Sequence, residues 1–143
     1  MRISDIISAK ASQDVITIAP DASVRDLIRL LAEHNVGALI VSGDGSAVDG
    51  IVSERDVVRR LLDSDEILDG QVSAIMTAEV ATAGPETTLD DIRAVMTERR
   101  IRHVPVVTDE NLIGIISIGD VVKAAMNQLQ FERDQLDSYV HQT

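Results

Sequence analysis

Val15 to Leu61 reads VITIAPDASVRDLIRLLAEHNVGALIVSGDGSAVDGIVSERDVVRRL, and Val80 to Ala125 reads VATAGPETTLDDIRAVMTERRIRHVPVVTDENLIGIISIGDVVKAA. The two stretches align end to end, with one extra residue in the hairpin loop of the first. Thr17 pairs with Thr82, Pro20 with Pro85, Ser23 with Thr88 and Asp26 with Asp91. Farther on, Gly50 pairs with Gly114, Ser53 with Ser117 and Asp56 with Asp120. The segments ahead of them also correspond: Ile3-Ser4-Asp5-Ile6-Ile7-Ser8 is similar to Val72-Ser73-Ala74-Ile75-Met76-Thr77. Agreement at this many ordered positions marks an internal duplication, which decides the architecture before any single element does.

Each copy has the same order of predicted elements. A short β-rich run (Val15–Ile18, Val80–Ala83) ends at a proline turn. A helix follows, with an apolar stripe at Val24, Leu27, Ile28 and Leu31 in the first copy and Leu89, Ile92, Val95 and Met96 in the second. Ser23-x-x-Asp26 and Thr88-x-x-Asp91 have the form of capping pairs that start these helices. A hairpin comes next, over Ala38–Val41 and Gly50–Ser53 in one copy and His103–Val107 and Leu112–Ser117 in the other. A second helix, starting near Glu54 or near Gly119, closes the unit. The strands are almost continuously apolar, so both of their faces are expected to be covered. One such unit is too small to bury its own sheet; two packed through their sheets about a pseudo-twofold axis would do so, and would leave symmetric clefts between them. The fold class expected is mixed α/β (α+β), two βαββα units plus a C-terminal helical extension. The boundaries fall at 1–68, 69–126 and 127–143, with the acidic stretch Asp63–Gln71 as linker. In the extension, Val122, Met126, Leu129, Leu136 and Val140 keep heptad-like spacing, interrupted by Arg133, which suits a dimer contact or a helix folded back on its own domain.

Composition narrows the functions. Of 143 residues 45% are hydrophobic and only 1% aromatic, so the core is aliphatic and offers bases no stacking platform. With 24 acidic and 13 basic residues the formal net charge is −11, which disfavours nucleic acid and anionic membranes as partners but leaves room for a small anion held by a few arginines. Cysteine is absent, which removes disulfides, thiolate metal sites and thiol nucleophiles. The opening MRISDIISAK lacks a signal-like apolar run, and no stretch approaches the roughly 20 apolar residues of a membrane span, so a cytoplasmic location is expected. No phosphate loop, GxGxxG, GxSxG or HExxH motif occurs, and no cluster has metal-ligand spacing, so catalysis is not expected.

The proline turn, amphipathic helix, apolar hairpin and G-h-[ST]-x-x-D ending, occurring twice, resemble the cystathionine-β-synthase (CBS) domain. The ending stands here as Gly50-Ile51-Val52-Ser53-Glu54-Arg55-Asp56 and as Gly114-Ile115-Ile116-Ser117-Ile118-Gly119-Asp120. Val72–Thr77 and the strand Ile101-Arg102-His103-Val104-Pro105-Val106-Val107 are similar to the same family, and the resemblance spans residues 1–126. It implies a paired, often dimeric module, a Bateman module, that binds AMP, ADP, ATP or a related ligand between its copies, as a ligand rather than a catalytic cofactor. Asp56 and Asp120, each in the first turn of a helix, would accept the vicinal hydroxyls of a ribose, with Ser53 and Ser117 beside them. Ser-x-x-Asp is equally a capping pair that needs no ligand. Arg102 and His103 are the phosphate candidates, since an arginine in a buried strand asks for an anion, though an Asp or Glu in a strand-edge ion pair would answer the same need; Arg55 is a third, and an ordinary solvated side chain otherwise. By family position Thr17, Val36 and Gly37 would hold adenine in one cleft, and Thr82, Ile101 and Arg102 in the other. The first copy has Gly37-Ala38-Leu39-Ile40 where the second has Arg102-His103-Val104-Pro105, so the clefts are expected to differ, with the one containing Asp120 the better binder. His34 and His141 read as surface residues.

Two further readings stay open at this level. The chain could be an interaction scaffold without a ligand. Or the ligand could be NAD(H) or S-adenosylmethionine, which share the adenosine half that these residues would read. No catalytic domain accompanies the repeats, so any effector is expected to be a separate, unidentified protein.

Overall fold

The computed structural model describes residues 1–10 and 15–141. Its elements follow the duplication. Helix α1 (Ile3–Ala9) is followed by β1 (Thr17–Ile18), α2 (Val24–His34), β2 (Ala38–Val41), β3 (Gly50–Ser53) and α3 (Glu54–Leu61). The second copy supplies α4 (Leu89–Arg99), β4 (His103–Thr108), β5 (Asn111–Ser117) and α5 (Ile118–His141). The fold is mixed α/β with a C-terminal helical extension, as the duplication implies; the last two residues of the tail lie outside the described residues.

The helices start where their caps are. The Ser23 hydroxyl accepts from the Asp26 N–H (3.1 Å) and the Thr88 hydroxyl from the Asp91 N–H (3.2 Å), each satisfying an amide that the first turn leaves unpaired. Both helices end on a left-handed residue, Asn35 (φ 51°) and Arg100 (φ 54°). Asparagine visits that region readily and arginine does not.

The first copy forms a sheet in the order β1-β2-β3, with β1 parallel to β2 and β2 antiparallel to β3. The second keeps the antiparallel β4-β5 pair, but the strand expected over Val80–Ala83 shrinks to one parallel bridge between Ala83 and Val106. Pro105 stands where Ile40 stands in the first copy and has no N–H to donate, so the ladder cannot lengthen there. All four residues of β2 are buried, so that strand is covered on both faces, but β3 alternates buried and half-buried residues and β5 leaves Ile113 exposed, so the expectation holds for β2 and not for every strand.

The segments ahead of the repeats change places. Ile3 and Ile6 of α1 pack with Leu89, Ile92, Met96, Val104 and Ile116 of the second copy. Val72 and Ile75, the corresponding residues from the middle of the chain, pack with Val24, Leu27, Leu39, Val41 and Val52 of the first. Backbone hydrogen bonds fasten both exchanges. Ile3 N–H donates to Thr87 O (2.8 Å) and Leu89 N–H to Met1 O (2.9 Å), while Ile51 and Thr77 donate to each other (2.9 Å each way). The expected linker is a 3-10 turn over Asp65–Asp69, with Ile67 and Leu68 against the first copy's core.

The exchange leaves a signature at the paired glycines. A β-carbon at Gly50 would lie 2.7 Å from Met76 Sδ and 2.8 Å from the Thr77 carbonyl, and one at Gly114 would lie 2.9 Å from Ile7 Cδ1. Backbone cannot withdraw as the end of an isoleucine can. Gly50→Ala is therefore expected to destabilise the protein by about 1–3 kcal/mol in urea denaturation, and Gly114→Ala by less. Two near-zero effects would mean that the lead-ins do not cross there.

Candidate functional site

A cleft of about 360 Å³ opens between the start of α3 and the beginning of the second copy's hairpin. Ser53, Arg55, Asp56 and Arg59 line it from the first copy; Val80, Ala81 and the run Arg99 to His103 line it from the second. Asp56 is held by a reciprocal cap. Ser53 N–H donates to Asp56 Oδ2 (2.8 Å), and Asp56 N–H donates to Ser53 Oγ (3.3 Å). The capping bonds use Oδ2 alone, and among the described residues no hydrogen bond is made to Oδ1. Capping and ligand binding are therefore compatible: one oxygen fixes the side chain and the other is left to accept.

Facing Asp56 are cations of the other copy. Arg102 precedes β4 and is exposed, so the expectation that a buried strand makes its desolvation costly does not hold; its position in the cleft lining is what recommends it. His103 is half-buried on β4, paired across the hairpin with Ser117. Its imidazole lies beside Gly37, whose β-carbon would be 3.8 Å from His103 Cε1 and 3.6 Å from Glu54 Oε1. Burial holds the imidazole below its ordinary pKa; Asp120 and Glu54 pull it back up, and Lys10 and Arg102 push it further down. The ring thus feels carboxylates from the helix starts of both copies.

The sequence reading missed Arg59, Arg99 and Arg100, which also line this cleft. Together with Arg55 and Arg102 they form no ion pair among the described residues, whereas Arg2, Lys10, Arg25, Arg29 and Arg93, elsewhere on the chain, are each paired with a carboxylate. Arg60, Lys123 and Arg133 also have no ion pair among the described residues, so what sets this cleft apart is that five such arginines line one opening. The signal was present as two runs, RDVVRR at Arg55–Arg60 and RRIR at Arg99–Arg102, but only the fold brings them to one opening.

Asp120 sits in a different hollow, with Lys10 and Lys123. Ser117 N–H donates to its Oδ2 (2.9 Å), and so does Lys10 Nζ (3.0 Å), which also donates to Ile115 O (2.9 Å). The grouping of the site residues therefore differs from the expected one. Arg102, His103 and Ile101 line the cleft of Asp56, not the hollow of Asp120 and Lys10. The arrangement is one-sided: the second copy's hairpin entry reaches the first copy's helix start at Asp56, whereas the hollow of Asp120 is lined by α1 and α5 with no residue of the first copy's hairpin. Gly37 lies at the Asp56 cleft as well. Thr17 is in β1, Val36 is exposed after α2, and Thr82 is exposed beside the Ala83 bridge; none of the three lines either hollow.

Burial pushes the Asp120 carboxyl up, but the Ser117 amide and the Lys10 ammonium outweigh it and hold the group below its ordinary value. A depressed carboxylate contributes stability above its unfolded pKa of about 4, and that stability is lost as pH falls through the folded value. Lys10→Met should lower stability at neutral pH by under about 1 kcal/mol, because the pair is partly exposed. Melting curves of mutant and wild type should then converge as pH falls below the ordinary aspartate pKa of about 4. A gap independent of pH would dismiss the ion pair as its cause.

Comparison with known proteins places this geometry. The CBS domain family matches at residues 3–63 and again at 72–127. The mitochondrial CBS domain-containing protein CBSX3 of Arabidopsis thaliana is 36% identical over 146 residues, covering 96% of this chain and 71% of its own. A CBS-domain containing protein of Agrobacterium tumefaciens superimposes with a TM-score of 0.82 at 39% identity, covering 87% of this chain and 99% of that one. A CBS domain pair solved in complex with 5′-methylthioadenosine and S-adenosyl-L-methionine superimposes with a TM-score of 0.76 at 25% identity, covering 87% of this chain and 98% of that one. The duplication seen in the sequence, the crossed packing of its halves and these matches lead to one conclusion: the chain belongs to the CBS-domain family, as a tandem pair.

Proposed function

We propose that the chain is a non-catalytic regulatory module that binds an adenine nucleotide in the cleft of Asp56 and controls a separate partner protein. The observation that carries this reading is the cleft itself: a carboxylate with one oxygen fixed and the other uncommitted among the described residues, facing arginines that have no carboxylate partner among those residues. In this reading Asp56 accepts the ribose hydroxyls, with Ser53 beside it. Arg55, Arg102 and His103 hold phosphate, and Ile51, Val80 and Ile101 supply the apolar walls for the base in a chain almost without aromatics. S-adenosylmethionine carries a sulfonium cation, which these arginines would repel, so a phosphorylated adenosine suits the cleft better. A ligand touching both copies would favour one angle between them, and a partner would read the difference.

Thermal shift tests the reading. AMP or ATP at about a hundredfold excess over Kd should stabilise the wild type by about 2.7 kcal/mol. Asp56→Asn should remove most of that gain, and Asp120→Asn should leave it. No response to any adenine nucleotide would return the chain to the scaffold reading, and equal losses from both variants would refute the assignment to one cleft.

A second feature supports self-association. Val122, Met126, Leu129, Leu136 and Val140 of α5 are exposed along one seam of the helix, and Phe131 and Tyr139 are exposed too. An apolar seam of this spacing fits a second helix of the same kind, as in a twofold dimer. Light scattering after size exclusion should give twice the chain mass, and Met126→Glu with Leu129→Glu should give a folded monomer. A monomeric wild type would overturn the dimer.

A further inference from the structure

The duplication provides an internal control for every residue of the cleft. Both copies build the same helix start, the same hairpin entry and the same left-handed residue after the first helix. Residues required by the backbone should therefore recur, and those that serve a ligand need not. Arg55, Arg59, Arg99, Arg100 and Arg102 correspond to Gly119, Lys123, His34, Asn35 and Gly37. The other copy makes the same turns with glycine, asparagine or histidine, so the fold does not ask for arginine at any of these positions. Arg100 even takes a left-handed conformation (φ 54°) that Asn35 fills without a long side chain.

Resting on the nucleotide reading above, we infer that Arg59, Arg99 and Arg100 form an outer phosphate subsite, and that the cleft selects adenosine bearing a chain of phosphates over the monophosphate. Two guanidinium cations balance the charge of one terminal phosphate dianion, and Arg55 and Arg102, which line the cleft with Asp56, supply them. Arg59 lies one helical turn beyond Arg55, about 6 Å farther along α3. Arg99 and Arg100 come from the end of α4, on the opposite copy. Guanidinium groups spread over two elements reach successive phosphates of one chain more readily than the oxygens of one phosphate. The carboxylates of Glu54, Asp56 and Glu79 also line the cleft, so the arginines outnumber the acids there five to three while the chain as a whole is at −11.

Titration calorimetry with AMP, ADP and ATP in magnesium-free buffer tests the subsite. The full chain should bind ATP at least about tenfold more tightly than AMP, with ADP between. Arg59→Gln combined with Arg100→Asn, the latter placing the first copy's own residue at the left-handed position, should weaken ATP by about tenfold and leave AMP within about twofold. Arg60→Gln removes a neighbouring charge that does not line the cleft and should change neither. Equal affinity of the wild type for AMP and ATP would overturn the subsite while leaving the nucleotide reading intact, as would a parallel loss of both ligands in the double variant or an ATP loss in Arg60→Gln as large as the double variant's. Absence of binding by all three nucleotides would overturn both.

Discussion

The architecture depends on an exchange of two short apolar segments. Ile3 and Ile6 leave the copy they precede and complete the core of the other, and Val72 and Ile75 do the reverse. Neither unit can close its aliphatic core without residues that belong, in sequence, to its partner. The gain is hydrophobic burial on both sides: Ile3 and Val72 are fully buried, and burying a side chain of this size contributes about 1.5–3 kcal/mol each. The consequence is positional. With the lead-ins crossed, the start of α3 lies at the second copy's hairpin entry and the start of α5 lies against α1, so each hollow is assembled from segments far apart in the chain.

Within that frame the backbone and the ligand make separate demands on the same residues. Ser53 and Asp56 form a complete cap, and Ser117 and Asp120 repeat its reciprocal backbone bonds, so the capping chemistry is symmetric. What surrounds the caps is not. Lys10 neutralises Asp120, while Glu79, its counterpart after the shared lead-in, adds a negative charge beside Asp56. Arginines that could have paired with abundant carboxylates instead collect around Asp56. His103 stands at the junction, its ring burial opposed by carboxylates of both helix starts, whereas its counterpart in the first copy is Ala38. Duplication supplied the scaffold twice; divergence of charge made the two hollows chemically different.

Much of this was legible in the chain. The aligned copies, the capping pairs at Ser23 and Thr88, the apolar stripes and the hairpins are local patterns, and each acts over a few residues. Hydrogen-bond geometry and helical periodicity therefore determine them without knowledge of the rest. The resemblance to CBS domains rests on the same ordered local features. The loss of the strand expected over Val80–Ala83 was not legible in this way, because its cause, the missing amide of Pro105, lies 22 positions from Ala83.

Only the tertiary structure decided which residues share a cleft. Sequence order set Arg102 and His103 in the copy of Asp120, but they line the cleft of Asp56. Arg59 and Arg99 are 40 positions apart and meet at one opening. Lys10 and Asp120 are 110 positions apart and share an ion pair. The amino-acid sequence by itself determined the elements, their caps and their duplication, because those follow from short-range periodicity and pairing. The composition of the site follows from burial of α1 and of Val72 in one another's cores, a long-range packing choice that no window of the sequence contains.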